Sequence, residues 1–294
     1  MKIVLLGKNG QLGWELNRAL ATLGELQALD YPEIDLAQPE GACRILRQSR
    51  PDLIVNATAY TAVDRAESEA ELAMAVNGLA PGRLAETAQE LKAALIHYST
   101  DYVFDGMKGS PHTEADAPNP LNVYGKSKLA GERSVAQVNG AYLILRTSWV
   151  YSLRRDSFVT KALQWARQQE TLRIVTDQIS NPTWARMLAE ITAQLVAKGG
   201  PNLYNWLAER KGIYHLAGNG CTSRFELVKF ILEHDPQREG HRVREIQPAL
   251  TADFPTPARR PLYTCLDCTR FMDTFSLHLP DWKNALILAM NKDG

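Results

Sequence analysis

Lys2-Ile3-Val4-Leu5-Leu6-Gly7-Lys8-Asn9-Gly10-Gln11-Leu12-Gly13 decides the fold of this chain. Its first five residues form a short apolar run that reads as a buried strand. The amphipathic stretch from Gln11 to Leu23 reads as a helix. Between them lies a GxxGxxG turn. Gly7 permits a positive φ, Gly10 lets the backbone approach a pyrophosphate, and Gly13 lets the helix pack close to the strand. The free N–H groups of the helix N-terminus then face the anion. A second strand, Leu26 to Leu29, ends at Asp30, about 20 residues past the glycines, where a ribose-binding acid belongs. Such a carboxylate accepts from both ribose hydroxyls of NAD and repels the 2′-phosphate of NADP. Lys8 and Arg18 are the cations able to moderate that repulsion. Charge alone therefore leans towards NADH and leaves NADPH open.

Outward from this unit the alternation continues. Gly41 to Arg50 reads as a helix, Asp52 to Asn56 as a strand, and Glu67 to Leu91 as a long helical segment. Pro81 marks a break there, or a new first turn. Ala94 to Tyr98 and Tyr142 to Arg146 are further strands. Continuous apolar strands separated by helices predict an α/β protein with a Rossmann-type doubly wound parallel sheet. We expect a dinucleotide-binding domain over residues 1–148. A smaller mixed α/β substrate domain over 149–294 follows, with some segments returning to the first. Gly106 to Leu121 is long enough to be a functional loop. Phe254 to Pro261 reads as an extended surface segment.

Composition narrows the function. The 294 residues carry 33 Lys and Arg against 33 Asp and Glu, a balance that argues against nucleic acid or an anionic membrane as partner. No apolar run approaches the roughly 18 residues of a membrane span. The stretch Met1 to Gly7 is too short in its apolar core for a signal peptide. A cytoplasmic protein acting on a small molecule is the expectation. Cys43 and Cys221 stand alone, and Cys265 and Cys268 form a single CxxC without the second pair a zinc site needs. All four read as reduced thiols.

Tyr124 and Lys128 are four residues apart. On a helix from Val123 to Val138 they share one face. A phenol ordinarily titrates near 10, and an adjacent ammonium favours the phenolate and pulls that value towards neutrality. Thr100 follows the strand that begins at Ala94, at the carboxyl end where α/β sheets bind ligands, and its hydroxyl can hydrogen-bond a substrate carbonyl.

These features resemble the extended short-chain dehydrogenase/reductase superfamily and, within it, the dTDP-4-dehydrorhamnose reductases. The stretches that carry the likeness span nearly the whole chain. Besides the glycine turn they are Pro51 to Ala57, Thr61 to Glu67, His97 to Gly106, Asn119 to Lys126, Arg146 to Tyr151, Gly212 to Gly218, and Arg260-Pro261. The resemblance implies NAD(P)H-dependent reduction of the C4 keto group of a dTDP-4-dehydro-L-rhamnose. Tyr124 is then the proton donor, Lys128 lowers its pKa and holds the nicotinamide ribose, and Thr100 polarises the carbonyl. It places Gly7, Gly10, Gln11, Leu12, Gly13, Asp30, Asp35, Leu36, Ala59, Tyr60, Thr61 and Tyr98 at the cofactor. Thr100, Asp101 and Trp149 would contact the sugar nucleotide, and Arg260 its diphosphate. It also implies a homodimer and admits a magnesium ion, with Glu15 at an acidic position that otherwise reads as a solvated helix carboxylate. Ser180 stands where such reductases usually carry glycine, and Cys265 where serine is common. The alternatives are an epimerase or reductase for another 6-deoxyhexose nucleotide, or a regulatory subunit like that of methionine adenosyltransferase.

Overall fold

The computed structural model describes residues 1–291. The chain opens β1 (Lys2–Leu6), α1 (Gln11–Leu20), β2 (Glu25–Leu29), α2 (Glu40–Ser49) and β3 (Leu53–Asn56). Two short helices, α3 (Val63–Ala66) and α4 (Ala70–Met74), and a π-helical turn over Ala75–Leu79 lead into α5 (Ala80–Leu91). Pro81 falls in the first turn of α5, where its missing N–H breaks no hydrogen bond. The long helical segment expected from Glu67 is thus several pieces, and Pro81 opens a new first turn as one of the two expected outcomes. The π turn directs Asn77 sideways, where it accepts from the Tyr60 N–H at 2.8 Å and donates to Ser127 Oγ at 3.0 Å.

β4 (Ala94–Thr100), α6 (Val123–Val138) and β5 (Tyr142–Thr147) follow. Next come β6 (Val150–Tyr151), α7 (Phe158–Gln168), β7 (Thr171–Val175), β8 (Ile179–Ser180), β9 (Thr183–Trp184), α8 (Ala185–Gly199) and α9 (Leu203–Ala208). The chain closes with β10 (Gly212–His215), β11 (Thr222–Ser223), α10 (Arg224–Glu233), β12 (Glu245–Ala249), α11 (Thr269–Phe275) and α12 (Trp282–Met290).

Six strands form one parallel sheet in the order β10-β5-β4-β3-β1-β2. Every residue of β3 and β4 is buried, as a sheet covered on both faces requires. One face packs on α1 and α8 through Leu12, Leu16, Leu20, Leu188, Ile191 and Leu195. The other packs on α2, α5 and α6 through Ala42, Leu46, Leu84, Ala88 and Val135. Sequence order reverses between β1 and β3, and a crevice opens at their carboxyl ends, where sheets of this kind bind ligands. A separate core joins α7, α10 and α12 to the β7–β12 pair through Val159, Ala162, Ile174, Val228, Ile231 and Leu286.

One expectation is corrected. Cys221 and Cys265 are joined by a disulfide, their Cα atoms 5.9 Å apart, and only Cys43 and Cys268 are free. The segments meet because β11 pairs with β8 and Tyr263 bridges to Ile179, a proximity that a spacing of 44 residues does not announce. The Phe254–Pro261 segment is irregular and largely exposed, as expected, and it is pinned at two points. Ala258 is buried, and Asn122 Nδ2 donates to the Arg259 carbonyl at 2.9 Å.

Candidate active site

A cavity of about 950 Å³ runs across the carboxyl end of the sheet, from Gly7 and Asp30 past Tyr98, Thr100 and Tyr124 to Trp149 and Arg224. Its floor at one end is the glycine turn. Gly7 adopts φ +95°, and a Cβ on Gly13 would lie 1.8 Å from the Gly7 carbonyl oxygen. Glycine at both positions lets α1 sit directly on the turn. Gly10 caps α1 without a side-chain hydrogen bond, so the first N–H groups remain open to an anion. These open donors, a cradle without side chains, and Asp30 at its rim fit a dinucleotide cofactor.

Asp30 also organises the turn, because its carboxylate accepts from the backbone N–H of Asn9 at 2.7 Å and of Tyr31 at 2.8 Å. Lys8 is paired with Glu33 at 2.7 Å, which holds the Glu33 carboxyl below its ordinary range. Arg18 lies over the Trp14 ring and 3.6 Å from Glu15. Both cations able to offset Asp30 are therefore engaged elsewhere.

At the centre, α6 starts at Asn122, whose side chain accepts from the Gly125 N–H at 2.8 Å. That cap fixes the first turn and with it Tyr124; Lys128 follows one turn later on the same face. Thr100 Oγ1 accepts from the Tyr102 N–H and donates to Asp101 Oδ1, each at 3.2 Å, and it lines the same cavity as Tyr124. Burial raises the Tyr124 pKa above the ordinary phenol value. The expected downward pull from Lys128 is not what sets it. Lys128 is 2% exposed, its Nζ donates to the Tyr98 carbonyl at 2.6 Å, and burial lowers its own pKa to about 8.

Asp101 gathers hydroxyls from several segments at the cavity. Its Oδ2 accepts from Thr264 at 2.5 Å, Ser148 at 3.0 Å and Ser180 at 3.1 Å. Burial raises its pKa, and the four hydroxyls around it work against that rise. Ser180, the departure from glycine, thus adds a donor to a buried carboxylate. Trp149 lies in the cavity wall with φ +38°. Arg224, first residue of α10, stacks on Trp149 at 3.5 Å and on Phe158 at 4.2 Å. Burial pulls its pKa down to about 10. Among the described residues no carboxylate pairs with it.

The cavity therefore brings together Gly7, Gly10, Gln11, Leu12, Asp30, Ala59, Thr61, Tyr98, Thr100, Asp101, Tyr124, Lys128 and Trp149. Gly13 lies beneath the turn. Asp35 accepts from the Ala37 N–H, Leu36 is in the core, and the Tyr60 hydroxyl donates to Glu69 at 2.5 Å. Arg260 lies outside the cavity wall, bound to Asp64 at 2.7 Å. The reading of Glu15 as solvated is corrected. It is buried against α8, and desolvation raises its pKa. Among the described residues no group of three or more His, Cys, Asp or Glu side chains is placed to hold a metal ion. Arg224, Ser148 and Thr264 were not singled out in the sequence. Ser148 lies within the Arg146 to Tyr151 stretch without a role read from it, no motif marks Arg224 or Thr264, and the folding of distant segments brings them to the site.

A doubly wound sheet with an open glycine turn and a Tyr–Lys pair at the end of β4 defines an oxidoreductase of the extended short-chain dehydrogenase/reductase type. The chain belongs to the family described as RmlD substrate binding domain, which matches residues 1–293. It is 42% identical to a dTDP-4-dehydrorhamnose reductase of Burkholderia thailandensis, over 99% of this chain and 98% of that protein. The crystal structure of a dTDP-4-dehydrorhamnose reductase from Clostridium acetobutylicum superposes with a TM-score of 0.90 at 31% identity, covering 99% of this chain and 98% of that one. The reductase from Bacillus anthracis in complex with NADP gives 0.86 at 31% identity, over 97% and 96%.

Proposed function

We propose that this enzyme reduces the C4 keto group of dTDP-4-dehydro-L-rhamnose to dTDP-L-rhamnose with NAD(P)H. The observation that carries the reading is the meeting of Thr100, Tyr124 and Lys128 in the cavity that also holds the open glycine turn. Bound at that turn, the nicotinamide cofactor supplies hydride. The chain must then hold the carbonyl oxygen and give it a proton. Tyr124 holds its proton firmly in the buried site and releases it to the oxygen as negative charge develops there. Thr100 is fixed by Asp101 and the Tyr102 N–H, so its hydroxyl is ready to hold the same oxygen. Lys128 anchors the ribose side. Gln11, Leu12, Ala59, Thr61 and Tyr98 wall the cofactor end, and Asp101 and Trp149 the sugar end. Arg224 is half-buried and has no carboxylate partner among the described residues; such a cation is unfavourable alone, and a diphosphate relieves it. Arg224, rather than Arg260, is therefore our choice for the nucleotide diphosphate. Residues 1–148 serve the cofactor and 149–294 mainly the substrate, with β10 returning to the main sheet.

The test is loss of reduced-nicotinamide absorbance with enzymatically generated dTDP-4-dehydro-L-rhamnose, NADH and NADPH in parallel. Substrate-dependent loss supports the reductase. A flat trace with product formed at constant cofactor indicates an epimerase, and no turnover of any dTDP-ketosugar removes the catalytic reading. The same reading takes the enzyme as a cytoplasmic homodimer, which light scattering of the purified protein and cell fractionation check. Among the described residues no helix is long and apolar enough to cross a membrane.

A further inference from the structure

His97 lies in the middle of β4, fully buried, on the sheet face that meets α6. Its neighbour across the ladder is Asn56 of β3. The Asn56 amide is oriented by Thr58, whose backbone N–H and hydroxyl both donate to Asn56 Oδ1, at 3.1 and 2.5 Å. With the oxygen so occupied, the amide NH₂ must face the imidazole, and Asn56 Nδ2 lies 3.1 Å from His97 Nδ1. Nδ1 is therefore the acceptor. A neutral imidazole with an accepting Nδ1 carries its proton on Nε2. That Nε2 lies 3.4 Å from Lys128 Nζ.

We propose that His97, held by Asn56 and Thr58 as the Nε2–H tautomer, is a positioning residue that acts on the enzyme through Lys128. Its N–H and an ammonium on Lys128 are two donors facing each other, an arrangement that penalises the charged lysine. The neutral amine can instead accept from the imidazole while still donating to the Tyr98 carbonyl. The remaining groups around Lys128 do not reverse this. Glu132, one turn along α6, favours the ammonium, but its carboxylate is held by Arg146 of β5 at 2.8 and 2.7 Å and by Ser99 at 2.5 Å. Tyr124 is the other ionisable group of the helix at this point, Asp101 lies beyond Thr100, and β3 contributes only the uncharged Asn56. Burial and the neighbouring lysine hold His97 itself well below the ordinary imidazole range, so it stays neutral.

The inference rests on the reductase reading only for its kinetic consequence. Lys128 in its charged form holds the ribose and supports Tyr124, so activity falls as pH rises through the lysine's lowered pKa, near 8. Replacing His97 by Gln removes the imidazole N–H and offers an amide oxygen to the ammonium. The alkaline limb of kcat/KM should then move up by about one pH unit. Asn56→Asp keeps His97 and reverses its tautomer, since a carboxylate takes the proton on Nδ1 and leaves Nε2 to accept from Lys128. It should shift the limb in the same direction and serves if H97Q does not fold. An unmoved limb in the folded variants overturns the proposal.

¹⁵N NMR of the histidine side chains reads the tautomer without turnover, with His97 assigned by its loss in H97Q. A neutral Nε2–H imidazole that does not titrate between pH 5.5 and 9 is expected. An Nδ1–H tautomer, or titration near 6.5, overturns the proposal whether or not the enzyme reduces a ketosugar. Absence of turnover with the expected tautomer instead counts against the reductase reading alone.

Discussion

In the proposed mechanism Tyr124 and Thr100 divide the demands of a ketone reduction, one carrying the proton and the other holding the oxygen. Removing the Tyr124 hydroxyl takes away only the first. Tyr124→Phe should lower kcat by roughly 10²–10⁴-fold. Cofactor affinity, read by fluorescence titration, should stay close to that of the parent enzyme. Near-parental turnover would take Tyr124 out of the chemistry. Cofactor choice is set by other residues. In the proposed binding mode Asp30 faces the ribose and repels a 2′-phosphate while Glu33 withholds Lys8, so NADH should be the better substrate of the two. Glu33→Gln weakens the hold on Lys8 and should raise kcat/KM for NADPH relative to NADH several-fold. An unchanged ratio would show that Lys8 does not reach the ribose even when released.

At the scale of elements, the site depends on how closely α1 approaches the turn before it. Gly13→Ala puts a methyl where the Gly7 carbonyl oxygen stands, and backbone cannot swing aside as a long side chain can. The helix must lift, at about 1–3 kcal/mol of stability. Thermal unfolding should show the loss, and cofactor affinity should fall with it because the N–H cradle moves. Retained affinity at full stability would mean that the turn adapts. This unit was legible in the sequence because all its parts are local: strand, glycines, helix and Asp30 lie within thirty residues. The same holds for α6, whose ends at Val123 and Val138 follow from Asn122 and Asn139 acting as caps. The helix expected to run to Leu23 stops at Leu20 because Gly24 turns the chain into β2, where a Cβ would meet the Met1 carbonyl. The pieces before α5 were not legible. A π turn is fixed by what Asn77 reaches, the Tyr60 backbone and Ser127 Oγ, and periodicity does not record such partners. The substrate end was still less legible. Asp101 draws donors from positions 100, 148, 180 and 264; Thr100 stood out by its place after a strand, but nothing in the sequence says that the four hydroxyls meet at one carboxylate.

Across the whole molecule, the cavity joins the glycine turn and the carboxyl ends of the sheet, from residues 1–148, to Trp149, Phe158 and Arg224 of the second half. Arg224 is the residue through which that second part should act. It begins α10, which packs on α7 in the third core, and its guanidinium is clamped between Trp149 and Phe158. Stacking on two rings holds the charge in place and, among the described residues, leaves its N–H groups without a partner, the state in which an anion gains most from binding. Arg224→Gln keeps a polar group and removes the charge. A charge-assisted hydrogen bond contributes about 1.5–3 kcal/mol, so KM for the dTDP-sugar should rise roughly 10- to 150-fold. The Ki of free dTDP as a competitive inhibitor should rise in parallel. Cofactor affinity should not change, because Arg224 lies at the opposite end of the cavity from the glycine turn, and kcat at saturating substrate should fall far less than KM rises. Should KM hold while kcat collapses, Arg224 would belong to the reacting centre instead. Should both hold, the diphosphate must be bound elsewhere, and Arg260 released from Asp64 would be the next residue to replace.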